Sequence, residues 1–215
     1  AITEPPAFTP RPEGAYRSVA ITRDGSVLAY VTDGQVATYS GGGRIVLRPL
    51  AGRARLLDTT PDALAPFFSP DGSRMGFRLG SDRYYVTSLS GGTPEPVTES
   101  VIAAFTNGAW FGSAGLIYES FGTLFTKPFG GPAEVLARPD ESRRETYLYG
   151  VSLTPDGRGV LYSLVRDDMT SFDEARVMVK DLATGVTMEL IAGGMSPSMT
   201  SSGHLLFGRG GALFA

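Results

Sequence analysis

Residues Phe67-Phe68-Ser69-Pro70-Asp71-Gly72-Ser73-Arg74-Met75-Gly76-Phe77 read as strand, tight turn, strand. Proline at the first central position presets φ near about −65°, aspartate can bond the backbone two residues on, and glycine supplies the positive φ that closes the loop. The flanking residues are the aromatic and aliphatic types that strands favour. Relatives of this turn recur at Thr22-Arg23-Asp24-Gly25 and Thr154-Pro155-Asp156-Gly157, with weaker echoes at Gly112-Ser113-Ala114-Gly115 and Thr200-Ser201-Ser202-Gly203. Asp24, Gly25, Pro70, Asp71, Gly72, Pro155, Asp156 and Gly157 are therefore expected to be structural turn residues.

Aligned on Gly25, Gly72, Gly115, Gly157 and Gly203, the turns are spaced by 47, 43, 42 and 46 residues. A period in the forties with several short strands per unit is the mark of a β-propeller blade. Each turn is followed by a second strand (Val27-Leu28-Ala29-Tyr30 and its counterparts), a third (Tyr84-Tyr85-Val86-Thr87-Ser88-Leu89 in the second unit), a second turn at Gly52, Gly92, Gly131 and Gly185, and a more polar fourth strand. The expected fold is all-β: a propeller of four-stranded antiparallel blades, four complete and a fifth partial. The blades span about 16–60, 61–100, 101–139, 140–194 and 195–215, after a proline-rich segment at 1–15. An ordinary β-sandwich, the competing fold, does not repeat its turn chemistry at five places. Ala7-Phe8-Thr9 is either part of an extended arm or a strand that closes the ring; in the first case the chain is an arc of a larger propeller.

These units resemble the TolB-like, WD40-like propeller repeats of the PD40 type, whose mark is a Ser-Pro-Asp-Gly turn followed by an apolar strand. Ser69-Pro70-Asp71-Gly72 matches in full, and the turns at 154–157 and 22–25 match with one or two changes. The third and fifth units lack the aspartate, and no Trp-Asp dipeptide occurs. The resemblance covers about residues 16–215. It implies the propeller fold and, from where the family is found, a periplasmic or otherwise extracytoplasmic setting: TolB itself, the outer parts of bacterial serine/threonine kinases, the propellers of prolyl peptidases. It specifies function poorly, because one fold hosts many functions.

Composition agrees with one soluble globular unit. The chain has 215 residues, 28 glycines, 19% charged residues and no cysteine. A net charge of −3 without a basic patch argues against nucleic acid as a partner. No apolar run is long enough to span a bilayer, so direct membrane insertion is not expected. The first residue is Ala1, which suggests either a removed leader or an excised piece.

Little in the sequence points to chemistry. No Gly-x-Ser-x-Gly elbow occurs, and His204 is the single histidine, placed just after a turn. Gly41-Gly42-Gly43 lacks the following Lys-Ser/Thr of a phosphate loop and reads as a hairpin loop. Trp110, the one tryptophan, reads as a packing residue. No catalytic, cofactor-binding or metal-binding residue is assigned. The fourth unit is the long one: its closing glycines, Gly131 and Gly185, lie 54 residues apart, against 40 and 39 in the two preceding intervals. The excess falls in two charged loop insertions, Arg138 to Glu145 and Arg166 to Glu174. Asp167, Asp168, Asp173 and Glu174 lack the spacing of a calcium loop.

Long loops on a rigid scaffold carry function disproportionately. Met169 and Phe172 amid Arg166, Asp167 and Asp168 resemble an apolar anchor within a polar rim, and Leu213 and Phe214 an exposed strand edge. The expected function is a non-catalytic scaffold or interaction subunit docking through these residues on another protein, within a larger extracytoplasmic or membrane-bound assembly. The alternative is the ligand-sensing propeller of a receptor serine/threonine kinase or transport regulator. An enzyme using carboxylates around the channel is a third, weaker reading.

Overall fold

The computed structural model describes residues 19–32, 43–57, 60, 62–79, 83–99 and 108–215. The proline-rich segment with Ala7-Phe8-Thr9, and Gly41 and Gly42, lie outside the described residues. Five antiparallel meanders, four of four strands and the last of three, follow one another along the chain as blades of β-propeller type. The first sheet comprises β1 (Val19–Ile21), β2 (Val27–Val31), β3 (Ile45–Pro49) and β4 (Arg55–Leu56). The second holds β5 (Ala63–Phe68), β6 (Arg74–Leu79), β7 (Arg83–Ser88) and β8 (Glu95–Pro96). In the third are β9 (Ala109–Phe111), β10 (Gly115–Ser120), β11 (Thr123–Pro128) and β12 (Glu134–Ala137). The fourth has β13 (Glu145–Leu153), β14 (Gly159–Arg166), β15 (Arg176–Asp181) and β16 (Thr187–Ala192), and the fifth β17 (Met195–Met199), β18 (Leu205–Arg209) and β19 (Ala212–Phe214). Two short 3-10 turns, Glu141–Arg143 and Phe172–Glu174, are the only helical pieces among the described residues.

Burial follows the polarity gradient along each unit. In the fourth sheet, β14 is buried over six of its eight residues, while β16 is exposed at nearly every position. The chain divides into two compact units, one ending at Ser113 and one beginning at Ala114. In the first, Ala29, Ile45, Leu47, Leu57, Ala63, Met75 and Phe77 form a core shared by the first two sheets. Gly43 belongs to that packing, since its amide and carbonyl exchange hydrogen bonds with Ala63 at 3.1 and 2.8 Å. Trp110 is buried; its indole N–H donates to the Phe67 carbonyl at 3.4 Å, its ring meets the Phe67 ring edge-on, and the Arg74 guanidinium lies 4.7 Å above it. In the second unit β13 packs on β10 and β11 to one side and on β17 to the other.

Two expectations change. In the third sheet the left-handed turn residue is Gly112, at φ 56°, not Gly115. Gly115 instead opens β10, where a Cβ would stand 2.3 Å from the Lys127 carbonyl oxygen, so glycine is needed there for strand approach. In the fourth unit, part of the extra length is strand rather than loop, because β13 and β14 run nine and eight residues against six or fewer in the other sheets.

The inner strands carry a bulge that recurs. Ala65 (φ 51°), Gly150 (φ 70°) and Ser196 (φ 51°) adopt the left-handed conformation where the register of β5, β13 and β17 shifts. Each sits four residues before the turn's Ser or Thr, at Ser69, Thr154 and Thr200. Small residues hold the position because a bulged left-handed residue with a large side chain is costly.

Candidate functional site

The meander gives each blade two ends. Connections from the first strand to the second and from the third to the fourth lie at one end. Those from the second to the third, and onward to the next blade, lie at the other.

At the first end the repeated turns form the same hydrogen-bonded knot. The Oδ1 atoms of Asp24, Asp71 and Asp156 accept from the backbone N–H two residues on at 3.0, 3.1 and 3.1 Å. They also accept from the hydroxyls of Thr22, Ser69 and Thr154 at 2.6, 2.5 and 2.5 Å. Those hydroxyls in turn accept the amides of Val27, Arg74 and Gly159 at 3.0, 2.9 and 2.8 Å, which ties the turn to the second strand. Gly25, Gly72 and Gly157 close the turns at φ 73°, 67° and 71°. Bonds from Thr22 and Ser26 hold the Asp24 carboxyl at about 2, below the usual carboxylate range, and bonds from Ser69 and Ser73 do the same for Asp71, also at about 2. The Thr154 hydroxyl likewise lowers Asp156. The three turn carboxylates are thus spent on the turn itself.

In the fifth sheet Ser202 stands where the aspartate would. Its hydroxyl meets Thr200 Oγ1 at 2.8 Å and His204 Nδ1 at 2.9 Å, while the His204 amide donates to Thr200 Oγ1 at 3.0 Å. This serine–histidine pair is exposed, and no carboxylate among the described residues is bonded to the imidazole, unlike the oriented base of a nucleophilic triad.

The opposite end of the fourth sheet departs from repetition. The two insertions converge there: Arg144 donates through Nε to Asp167 Oδ1 at 2.7 Å, the Asp167 amide donates to the Arg144 carbonyl at 3.0 Å, and Arg166 pairs with Asp168 at 2.7 Å. Met169 Sδ accepts the Arg166 amide at 3.4 Å. Thr170 donates to Glu174 at 2.6 Å, and Asp173 Oδ1 accepts the Gly210 amide at 2.8 Å, which ties the insertion to the β18–β19 turn of the fifth sheet. The four carboxylates are thus each engaged locally, with Arg144 also 3.9 Å from Asp168, and among the described residues no cluster of three metal-ligating side chains forms.

Within this frame Phe172 remains 52% exposed, with one edge against the Tyr149 ring at 5.8 Å between centroids. Burial pushes the Tyr149 phenol up to about 12, and the neighbouring Asp173 charge acts in the same direction. On β19, Leu213 is 73% exposed; Phe214, 42% exposed, stacks on Phe207 with the Arg209 guanidinium over both rings. A further exposed stripe, Val186, Met188 and Leu190, runs along β16. Met188 pairs with Val179, which pairs with Leu161, and this is the side of the sheet on which Ser163 accepts the Ser196 amide. The stripe thus lies on the side of the fifth sheet. It was not singled out in the sequence, though the alternation of Val186, Met188 and Leu190 with polar neighbours could have indicated it.

On the other face of the fourth sheet, a cleft of about 510 Å³ opens against β12. Leu148, Tyr162, Leu164 and Met178 supply its apolar surface. Arg138, Arg143, Arg176 and Lys180 line it with Glu145, Glu189 and Thr187. Arg176 pairs with Glu189 at 2.8 Å and Arg143 with Glu145 at 3.8 Å. Burial raises the Tyr162 phenol, partly offset by its bond with Thr187.

No family model matches the chain, and no curated protein matches it. Solved structures do. TolB from Acinetobacter baumannii is 24% identical, with a TM-score of 0.68 over 88% of this chain and 47% of that one. A putative TolB from Agrobacterium tumefaciens is 16% identical, with a TM-score of 0.67 over 89% of this chain and 69% of that one. The β-propeller domain of Myceliophteria thermophila Cps50 (Swd1) is 16% identical, with a TM-score of 0.65 over 92% and 63%. This chain thus spans about half of the Acinetobacter protein. At these identities the likeness establishes the propeller fold. No helix among the described residues is long and apolar enough to cross a membrane.

Proposed function

We propose that this propeller is a non-catalytic interaction module that docks on another protein through the insertion end of its fourth and fifth sheets. The observation that supports this most is the half-exposed Phe172 held in a braced, ion-paired frame that Asp173 joins to the Gly210 turn. A rigid aromatic within a polar rim is the usual form of an interface anchor. Leu213 and Phe214 on β19, the outer strand of its sheet among the described residues, extend the surface. The Ser-Pro-Asp-Gly turn and the fold shared with TolB structures support an extracytoplasmic setting and a larger assembly. The second reading, a ligand-sensing propeller, draws support from the cleft beside β12.

The test is site-specific photo-cross-linking in the native host, with the reactive group at Phe172 and, as control, at Asp156. The expected result is a discrete adduct of larger mass from position 172 and none from position 156. Adducts from neither position, or from 156 alone, would contradict the proposed surface. The non-catalytic reading predicts no esterase or peptidase turnover; turnover lost in His204→Ala would overturn it.

A further inference from the structure

We propose that the cleft between β12 and the fourth sheet binds a small amphipathic organic anion, an acidic head on an apolar or aromatic body, a site that goes beyond the protein-docking reading. The lining carries four cations and two carboxylates, in a chain whose net charge is −3. Glu189 and Glu145 are already engaged with Arg176 and Arg143. That leaves Arg138, beside β12, and Lys180, on β15, with no carboxylate partner among the described residues. The Lys180 ammonium donates only to the Gly185 carbonyl, at 2.8 Å. Two uncompensated cations from different sheets, facing one cleft, create a positive potential that low-dielectric walls concentrate.

The body of the ligand is dictated by what lies between those charges. Leu148, Leu164, Met178 and the ring of Tyr162 offer apolar contact, and methionine adapts its shape to what it meets. The Tyr162 phenol is neutral at neutral pH, and burial raises it further, so it adds no negative charge to oppose an anion. The volume, about 510 Å³, falls in the range usual for small-molecule sites, roughly 300–1,000 Å³. A bare inorganic anion would leave the apolar surface uncovered, and a neutral apolar ligand would leave the two cations unanswered. A molecule with both parts satisfies the whole lining.

The probe is 8-anilinonaphthalene-1-sulfonate, titrated by fluorescence into the intact chain, with N-phenyl-1-naphthylamine as its neutral counterpart and inorganic sulfate as the isolated head. Saturable binding at one site is expected, weakened at least about tenfold by Arg138→Glu/Lys180→Glu and unaffected by Arg23→Glu/Arg53→Glu, a charge reversal at residues that do not line the cleft. The neutral analogue should bind at least about tenfold more weakly, and millimolar sulfate should not displace the probe. Leu213→Ser/Phe214→Ser, which removes an exposed apolar surface outside the cleft, should leave the affinity unchanged. Equal affinity in the Arg138/Lys180 variant, equal binding of the neutral analogue, displacement by sulfate, or loss of the site with Leu213 and Phe214 would each overturn the proposal. Should the double reversal unfold the chain, Arg138→Gln and Lys180→Gln singly are expected to weaken the probe about threefold each, and no change in either has the same contrary meaning.

Discussion

The two ends of the fourth blade are built from the same residue types and do opposite things with them. At one end, Thr154, Asp156 and the amides of Arg158 and Gly159 close a local knot within six residues. At the other, Arg144 reaches Asp167 across 23 positions and Asp173 reaches Gly210 across 37. The first arrangement recurs in the first and second blades with nearly identical distances. The second lies in insertions outside the repeat. Repetition of a charged motif therefore marks scaffold, and a charged stretch outside the repeat marks a surface the fold does not itself require. Exposed ion pairs add little to stability, so the frame around Phe172 positions side chains more than it holds the blade together.

Four variants would break or sharpen this contrast, the largest effect first. As a reference for buried packing, Trp110→Ala should cost about 3–5 kcal/mol in a denaturant titration, since it removes a buried aromatic packed against Phe67 and Arg74. At the repeated turn, Thr154→Val keeps the shape but deprives the Gly159 amide and the Asp156 carboxylate of their partner; a loss of about 1–2 kcal/mol is expected, and a neutral result would remove the knot from the scaffold. Replacing Ala65 by Gly relieves a left-handed alanine at φ 51° and should raise stability by about 0.5–1 kcal/mol, unlike most core substitutions. Arg144→Ala at the insertion end should shift the midpoint by no more than about 0.5 kcal/mol while weakening cross-linking from position 172.

The turn carboxylates add a pH signature. Their folded-state pKa values are depressed, to about 2 for Asp24 and Asp71, so their contribution is fully present above the unfolded value near about 4 and is lost as pH falls through the folded one. The urea midpoint should therefore drop between about pH 4 and pH 2. Ser69→Ala, which removes the hydroxyl with the largest effect on Asp71, should flatten that drop.

What could be seen in the sequence divides along the same line. The Asp71 and Gly72 turn and its relatives were legible because each closes on residues next to it, and local chemistry is written in order along the chain. The role of the preceding Ser69, Thr22 and Thr154 hydroxyls was equally local and was overlooked beside the more familiar Pro-Asp-Gly. The bulges at Ala65, Gly150 and Ser196 share a fixed offset from the turn but no common residue beyond small size, so the pattern emerges only with backbone angles in hand. Gly112 and Gly115 show the limit of aligning glycines, because one supplies a turn and the other a close strand approach. Convergence of the insertions at Arg144 and Asp167 depends on the pairing of β13 with β14. The cleft draws on five strands, and no linear motif could carry it.

The central claim, that the repeated turns hold the fold and the insertion end holds the partner, is tested most directly by one paired measurement. Asp71→Ala/Asp156→Ala and Met169→Ser/Phe172→Ser are each compared with the parent for urea midpoint and for the mass of the complex isolated from the native host. The turn variant should unfold at lower urea and retain the full complex mass below its transition. The insertion variant should unfold within about 1 kcal/mol of the parent and run at the mass of the chain alone, since Phe172 is half exposed and loses only part of its packing. An insertion variant that keeps the complex intact, or a turn variant that loses it at unchanged stability, would contradict the assignment.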